Sequence, residues 1–250
     1  MNNPQLSIII ATYNSASVLR TALDSVCNLS SIQWECIVVD GASTDGTIDI
    51  IKEYHTKNNH IRYISEPDKG IYDAFNKGWQ LARGEWVYYL GSDDELIPEG
   101  IERLLTYTEA CDCVYGYVYI RENEKEVYAC PSKSADTLTN AMCCCHQAMI
   151  MKRSVIAELG GFDLAFPVYA DYELVLRAFL HNKVFRKENI ATAFFSCNGV
   201  SSNISWKLAK EQYLIFKKNS IGSYPWARVA WNFSKMFVRQ YIYDPKKHKK

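Results

Sequence analysis

The sequence predicts an α/β protein built on a doubly wound, mostly parallel sheet. Over the first 90 residues, apolar runs of strand length alternate with segments of helical periodicity, which is typical of parallel sheets covered by helices. Polar or acidic residues follow the first, second and fourth of these runs, at the edge where open α/β sheets bind ligands. Strands are expected at about 6–11, 34–39, 61–64 and 86–90, and helices at about 17–27, 47–54 and 71–82.

The first two strands are predicted from their composition. Residues 6–11 are rich in Ile, and residues 34–39 form a second apolar run that ends at Asp40. Continuous apolar runs of this length are typical of strands that are covered on both faces. The intervening helix has apolar residues at helical spacing. Asp45 is the expected cap of the helix at 47–54.

The most informative stretch begins at the turn 66–70, where Pro and Gly give turn chemistry. A helical pattern and the apolar strand 86–90 follow it, and the adjacent acids Asp93 and Asp94 come just after that strand. Two acids at a ligand-binding edge repel an anionic substrate unless a divalent cation lies between them. The pattern therefore predicts metal-bridged phosphate chemistry, with Mg²⁺ or Mn²⁺ as the hard cation.

Other nucleotide-binding patterns are missing from the sequence. No G-x-G-x-x-G follows the first strand and no G-x-x-x-x-G-K-[ST] occurs, so a dinucleotide fingerprint and a P-loop are both excluded. A nucleotide would instead be held by its base and ribose. Further along, a helix near 100–109 and strands at 113–120, 126–129 and 149–153 predict a second, mixed part of the sheet.

Charge is distributed unevenly along the 250 residues, although the net charge is zero. Residues 201–250 contain 11 Lys/Arg and 2 Asp/Glu, a net of +9, and the rest contains 17 and 26, a net of −9. The acidic body argues against nucleic-acid binding. The basic C-terminal segment is also rich in aromatic residues, which suits a membrane interface. The alternative is that these aromatic residues pack on the body.

Cysteines and the N-terminal residues bear on localisation. The first residues have no basic region followed by a long apolar run, and no apolar run approaches the ~20 residues that span a bilayer. Nine cysteines without an export signal indicate reduced thiols in a cytoplasmic protein. A zinc site at Cys111/Cys113 or Cys143–Cys145 is an alternative, but neither group has the spacing of a structural zinc site.

Several motifs in the expected order resemble the family 2 glycosyltransferases, inverting enzymes of the GT-A fold that use nucleotide-sugar donors. The resemblance covers about residues 6–200 and is carried by the stretch 65–78, the Gly91-Ser92-Asp93-Asp94 motif, and the sequences at 160–163 and 170–171. It is strongest to bacterial enzymes of exopolysaccharide and lipopolysaccharide biosynthesis. The resemblance implies a GT-A domain at 1–204, with a nucleotide-binding half (about 1–98) and an acceptor half (about 99–204), followed by a helical, basic extension at 205–250.

The resemblance also implies roles for individual residues. Asp94 is the expected principal ligand of Mg²⁺ or Mn²⁺, and Asp93 is expected to bind the metal or the ribose. Many relatives have an acid where this chain has Gly91. The other residues expected to bind the nucleotide sugar are Thr12, Tyr13, Asn14, Asp40, Asp68, Lys69, Asn76 and Ser92.

On the acceptor side, the resemblance makes Asp171 the base that deprotonates the acceptor hydroxyl. A preceding Glu, common in relatives, is Ala170 here. His146 and Gln147 match residues near the acceptor or the diphosphate. The main alternatives are that Asp171 is only a helix cap and that Asp93 and Asp94 are capping acids.

The expected function is therefore transfer of a hexosyl or N-acetylhexosaminyl group from a nucleotide-diphosphate donor, a UDP-sugar. The expected acceptor is a hydroxyl of a cell-surface saccharide on a lipid carrier, reached from the inner face of the membrane. No Q-x-x-R-W motif is present, which favours one sugar per encounter over processive synthesis. The alternatives are a sugar-phosphate nucleotidyltransferase and a degenerate saccharide-binding protein without activity.

Overall fold

The structure is a computed structural model, and it describes residues 3–123, 126–196 and 206–241. In these ranges, nine strands form a single mixed sheet with α-helices on both faces. The strands are β1 (Leu6–Thr12), β2 (Trp34–Asp40), β3 (Ile61–Ser65), β4 (Trp86–Gly91), β5 (Glu95–Leu96), β6 (Cys113–Asn123), β7 (Glu126–Cys130), β8 (Met149–Lys152) and β9 (Phe185–Ser196).

Eight α-helices and two short 3₁₀ segments connect these strands within the described ranges. The 3₁₀ segments are Ala135–Thr139 and His146–Ala148. The helices are α1 (Leu19–Cys27), α2 (Thr47–Lys57), α3 (Ile71–Leu81), α4 (Pro98–Leu105), α5 (Arg153–Glu158), α6 (Ala170–Leu180), α7 (Trp206–Lys218) and α8 (Pro225–Tyr241).

The first four long strands form the parallel half of the sheet, as the sequence predicts. Their spatial order is β3-β2-β1-β4, and every neighbouring pair is parallel. The register pairs Thr12 with Asp40, and Ala11 with Gly91. The carboxyl ends of β1, β2 and β4 therefore lie side by side, and the loops that leave them converge at one edge.

The second half of the sheet is mixed, as predicted, but it continues the first half as one sheet. Strand β8 is antiparallel to both β4 and β6, and β9 is parallel to β6. Strand β9 was not expected because its first residues, Arg186, Lys187 and Glu188, are charged. It lies between β6 and β5 and brings its last residue, Ser196, beside Asp94.

Alternating side chains of the parallel strands feed two cores, one on each face of the sheet. Ile9, Ile37 and Val39 pack toward α3 and α6, whereas Ile8 and Ile10 pack toward α1 and α4. The cysteines suspected of binding zinc are largely core residues: Cys111 and Cys113 are both buried. Burial raises the pKa of the Cys113 thiol, so it stays protonated. This environment is that of packing thiols rather than of metal ligands.

The C-terminal helices α7 and α8 pack on the body of the protein, and the domain boundary at residue 204 stays a prediction. The inner face of α7 is buried in the same core as α6, and Ile215 and Phe216 are fully buried. In α8, Val229 is buried and the Arg228 guanidinium donates to the Thr139 carbonyl. The aromatic-packing alternative therefore holds for the inner faces. No helix in the described ranges is both long and apolar enough to cross a membrane.

Candidate active site

The loops that follow β1 and β2 are joined side by side by hydrogen bonds. The Asn14 amide N–H donates to Ser43 Oγ (2.8 Å), and Thr44 N–H donates to Asn14 Oδ1 (2.9 Å). Asp45 accepts from Thr47 N–H at the start of α2 and from Ala16 N–H, but the N-cap residue of α2 is Gly46, so the predicted cap at Asp45 is wrong. Asn14, expected to bind the donor, therefore has its side-chain oxygen committed to holding this loop pair.

Three residues expected to bind the nucleotide come together on the outer side of this loop pair. Tyr13 is 65% exposed, and its ring lies beside Gly41. A Cβ atom at Gly41 would lie 2.6 Å from Asp68 Oδ2 and 3.3 Å from the Tyr13 ring. These three residues form one open surface next to the exposed Lys69. It consists of an exposed aromatic ring, the backbone of a residue without a side chain, and a carboxylate. The surface suits a base and ribose, since aromatic rings stack on bases.

Asp40 lies behind this surface and is fully buried. Its carboxylate accepts from Ser43 Oγ (2.5 Å), from Ser43 N–H (3.1 Å) and from Ser65 Oγ (2.6 Å). These contacts tie the ends of β2 and β3 together. Asp40 thus shapes the turn after β2, and Asp68 rather than Asp40 lies on the open surface. Thr12 is also buried, and its hydroxyl has no partner in the described part of the chain.

Asn76, another residue expected to bind the donor, connects α3 to the loop before α6. Its amide donates to the Phe162 carbonyl (2.9 Å) and accepts from Phe162 N–H (2.9 Å) and from Trp79 Nε1 (2.9 Å). The predicted turn at 160–163 is present, with positive φ at Gly160 and Gly161. Asn76 therefore positions the loop, and nothing in its contacts directs it toward a ligand.

The adjacent acids after β4, Asp93 and Asp94, have different environments. Asp94 is 1% exposed, and it accepts from Gln147 Nε2 (2.7 Å) and from Ser196 N–H (2.9 Å). Burial raises the pKa of Asp94, and the nearby Asp93 charge raises it further. These donors fix the orientation of the Asp94 carboxylate, and its role as the principal metal ligand stays a prediction. The carboxylate holds β4, β9 and the His146–Ala148 segment together.

Asp93 is half-buried, and its carboxylate makes no side-chain hydrogen bond to the described residues. Its backbone carbonyl accepts from Ser196 Oγ (2.7 Å), so the residue is fixed while its carboxylate is left available. The neighbouring Ser92 hydroxyl lies 3.0 Å from Ser15 Oγ, which links this turn to the loop after β1.

Gly91 is explained by the position of Asp94. A Cβ atom at Gly91 would lie 2.4 Å from Asp94 Oδ2 and 3.2 Å from Asp93 Oδ1. The acid that many relatives have at this position would therefore collide with Asp94 as it lies here. Gly91 N–H also donates to Asp94 Oδ2 (3.2 Å). The departure from the family pattern is thus coupled to the burial of the second acid.

The His146–Ala148 segment links the acids after β4 to Asp171, because its first two side chains contact different acids. Gln147 contacts Asp94, whereas His146 Nδ1 lies 3.3 Å from Asp171 Oδ2. His146 Nε2 is buried without a hydrogen-bond partner among the described residues. Asp93, Asp94 and Asp171 therefore belong to one site, connected through two consecutive side chains.

Asp171 lies in the first turn of α6 with its side chain 20% exposed. Its Oδ1 atom accepts from Tyr172 N–H (2.7 Å) and lies 3.1 Å from the Tyr72 hydroxyl. Helix α6 has its N-cap at Tyr169, so Asp171 is not the capping residue. The geometry thus favours a base over the capping alternative. Glu173, two residues on, faces away from the site and pairs with Arg177 and Lys218.

Sequence reasoning missed two residues of this site. Tyr72 was taken only as part of a helical pattern, yet its hydroxyl contacts both Asp171 and the Val168 carbonyl. Ser196 lies at the end of the strand that was not predicted. Neither residue carries a signal in the sequence, since both act through partners about 100 residues away.

The chain is similar in sequence and fold to several known proteins. Residues 7–160 match the family model described as glycosyl transferase family 2. The chain is 33% identical over 209 residues to a PGL/p-HBAD biosynthesis glycosyltransferase of Mycobacterium tuberculosis, covering 81% of each chain. It is 28% identical over 229 residues to TuaG of Bacillus subtilis, named as a glycosyltransferase of teichuronic acid biosynthesis, covering 86% of this chain and 88% of TuaG.

Solved structures share the fold. The chain superposes on Staphylococcus aureus TarS 1–349 in complex with UDP-GlcNAc with a TM-score of 0.71 at 18% identity, over 95% of this chain and 74% of that one. A Pyrobaculum calidifontis mannosyltransferase in complex with GDP-Man and Mn²⁺ gives a TM-score of 0.65 at 15% identity, over 95% and 76% of the chains. The fold is that of the GT-A class of glycosyltransferases. The chain belongs to the family 2 glycosyltransferases.

Proposed function

We propose that the chain is an inverting glycosyltransferase that moves a sugar from a UDP-sugar to a hydroxyl of a cell-envelope saccharide, with Asp171 as the base. The observation that supports the proposal is the His146–Gln147 link, in which Gln147 contacts Asp94 and His146 contacts Asp171. Membership of the family argues against the nucleotidyltransferase alternative. The partly exposed carboxylates of Asp93 and Asp171 argue against a degenerate binding protein.

The donor would lie along the joined loops after β1 and β2. Tyr13 offers a ring for the base, Asp68 an acceptor for base or ribose, and Lys69 a cation for the phosphates. TarS, which shares the fold, was solved with UDP-GlcNAc and with UDP, and this supports a UDP-linked donor. The diphosphate would then reach Ser92 and Asp93 at the end of β4.

A divalent cation, Mg²⁺ or Mn²⁺, fits this end of the site. The Asp93 carboxylate is available, and such ions are usually held by one or two carboxylates together with substrate phosphates. No group of three or more His, Cys, Asp or Glu in the described ranges could form a cage without substrate. When bound, the ion would neutralise charge on the departing diphosphate.

The base requirement follows from inversion. Direct displacement at the sugar carbon needs an acceptor oxygen on the face opposite the leaving diphosphate, and a base to remove its proton. Asp171 takes that proton from the acceptor hydroxyl as the new glycosidic bond forms and the bond to the diphosphate breaks. His146 lies against the other oxygen of Asp171 and keeps the carboxylate oriented.

A direct test offers the purified protein a panel of UDP-sugars with Mn²⁺ and a lipid extract of bacterial envelopes as acceptor source. UDP release that depends on the extract, with labelled sugar in the lipid fraction, is the expected result. Nuclear magnetic resonance of the product should show the anomeric configuration opposite to that of the donor. Retained configuration would contradict single displacement, and no release with any UDP-sugar would contradict the donor class.

Gly41→Ala should weaken UDP binding without unfolding the protein. The new Cβ atom would displace the Asp68 carboxylate, which lies 2.6 Å from that position. Losing one hydrogen bond to a charged group costs about 1.5–3 kcal/mol, so the dissociation constant should rise about 10- to 100-fold. Isothermal titration with UDP measures this change, and Ala42→Ser is the control on the same loop. Unchanged UDP affinity in Gly41→Ala would show that the nucleotide's base and ribose do not bind at this surface.

The basic outer face of α7 is proposed to contact anionic lipid at the inner face of the cell membrane. Trp206 is 86% exposed, and Lys207, Lys210 and Lys217 are exposed on one side of the helix. This face is basic, whereas the rest of the protein has a net negative charge. The difference in charge would orient the protein on an anionic bilayer. A lipid-linked acceptor would be within reach of a protein held in this way.

Replacing Lys207, Lys210 and Lys217 together with Gln should release the protein from anionic vesicles. Each Lys near such a surface contributes about 1 kcal/mol, so partitioning should fall about 100-fold or more. Co-sedimentation with phosphatidylglycerol vesicles measures it. The control neutralises Lys52, Lys57 and Lys133, which are exposed elsewhere. Truncation after residue 204 is unsuitable because it would uncover the core beneath α7. Equal partitioning of both triple variants would contradict the proposal.

A further inference from the structure

Helix α7 reaches the catalytic side of the protein through one buried carboxylate. Glu211 is 5% exposed, and its Oε2 atom accepts from Val168 N–H (3.0 Å) and from Tyr169 N–H (3.1 Å). These two residues come directly before α6, the helix that carries Asp171. A residue more than 40 positions later in the chain thus holds the backbone that leads into the base.

This contact places a hydrogen-bond acceptor and a negative charge at the start of α6. The N-cap residue, Tyr169, makes no side-chain hydrogen bond to the helix. The first N–H groups of a helix need acceptors, and negative charge is stabilising at this end. The buried carboxylate of Glu211 accepts from the N–H of the N-cap residue and from the N–H before it, and it places negative charge at this end of the helix. It thereby fixes the backbone that leads into Asp171. Its second oxygen, Oε1, has no partner among the described residues.

The backbone of Val168 also contacts the Tyr72 hydroxyl, which lies against Asp171. Tyr72 Oη is 2.7 Å from the Val168 carbonyl and 3.1 Å from Asp171 Oδ1. One hydroxyl hydrogen cannot serve both acceptors at once. While Val168 is held in place, the shorter bond to its carbonyl takes the hydrogen, and Asp171 Oδ1 is left open toward the acceptor hydroxyl. Burial and the charges of Asp171 and Glu211 raise the pKa of Tyr72, so the hydroxyl stays protonated.

We propose that Glu211 is a positioning residue for the catalytic base, acting through the Val168–Tyr169 backbone and the Tyr72 hydroxyl. The inference rests on the proposed role of Asp171. It makes α7 part of the machinery for the chemical step, although α7 itself contributes no group to the donor surface.

The test compares Glu211→Leu, Glu211→Gln and Ile215→Ala in the full chain, with UDP-sugar, Mn²⁺ and lipid extract. Leu cannot accept the two N–H groups, and misplacement by about 1 Å costs on the order of 100-fold, so kcat should fall about 10- to 100-fold with KM for the UDP-sugar unchanged. Gln offers a carbonyl oxygen of the same reach and should restore most of kcat. Ile215 is fully buried one turn away, so Ile215→Ala should lower Tm but not kcat.

Two outcomes would overturn the inference: a normal kcat in Glu211→Leu measured well below its Tm, or a Gln variant as slow as the Leu variant. If Glu211→Leu does not fold, Glu211→Asp replaces it, since the shorter side chain cannot reach both N–H groups and kcat should again fall. Asp171→Asn is measured in parallel. Full activity in that variant would refute the proposed base, whereas loss in Asp171→Asn with normal Glu211 variants would refute only the positioning role.

Discussion

Asp171→Asn is expected to lower turnover about 100- to 10,000-fold, the usual contribution of a general base. The amide keeps the shape of the side chain and can still accept from Tyr172 N–H, but it cannot take a proton. UDP affinity should be unchanged, because Asp171 lies on the acceptor side, at the start of α6. The measurement combines UDP release with isothermal titration of UDP.

The control for this variant is Asp49→Asn, which removes an exposed acid in the first turn of α2. It should leave both turnover and UDP affinity at wild-type values. Equal loss of turnover and of UDP binding in Asp171→Asn would show that the carboxylate supports the donor site instead. In that case the base would have to be sought elsewhere around His146.

Asp93→Asn and Asp94→Asn are expected to separate metal binding from structure. Asp93→Asn should remove most of the gain in UDP affinity that Mn²⁺ provides, with little change in Tm, because its carboxylate is not engaged by the described residues. Asp94→Asn should instead lower stability by about 1–3 kcal/mol, because the amide would leave a buried donor unpaired. Its two main donors are Gln147 and Ser196.

Isothermal titration with UDP, with and without Mn²⁺, and thermal unfolding of both variants distinguish the two roles. Gln147→Leu is a matched control, since it removes one partner of Asp94 and should resemble Asp94→Asn in Tm. Loss of the Mn²⁺ effect in Asp94→Asn but not in Asp93→Asn would restore the assignment made from the sequence. Such a result would require the site to rearrange when the donor binds.

The parallel half of the fold could be predicted because its signals are local. Ile-rich or otherwise apolar runs mark β1, β2 and β4, and the polar residue that ends each run marks the edge of the sheet. The grouping of Tyr13 and Asp68 follows from that edge. The family resemblance proposes Asp171 as the base. The structure places Asp171 in the first turn of α6.

The different environments of Asp93 and Asp94 could not be predicted, because adjacent acids look alike in a sequence. What separates them is contact with Gln147 and Ser196, 53 and 102 residues away. The role of α7 was hidden for a similar reason. Its basic residues suggested a separate surface helix, while the buried Glu211 and Phe216 face the body. Long-range partners decide such cases, and the sequence pattern of a single helix does not contain them.

The most direct test of the account is thermal stabilisation of the purified protein by UDP, GDP, CMP, ADP and dTDP, each with and without Mn²⁺. The account predicts that UDP raises Tm, that Mn²⁺ enlarges this shift, and that the other nucleotides have smaller effects. A larger shift with another nucleotide would contradict the UDP assignment. No shift with any nucleotide in folded protein would contradict the claim that this site binds a nucleotide-sugar donor.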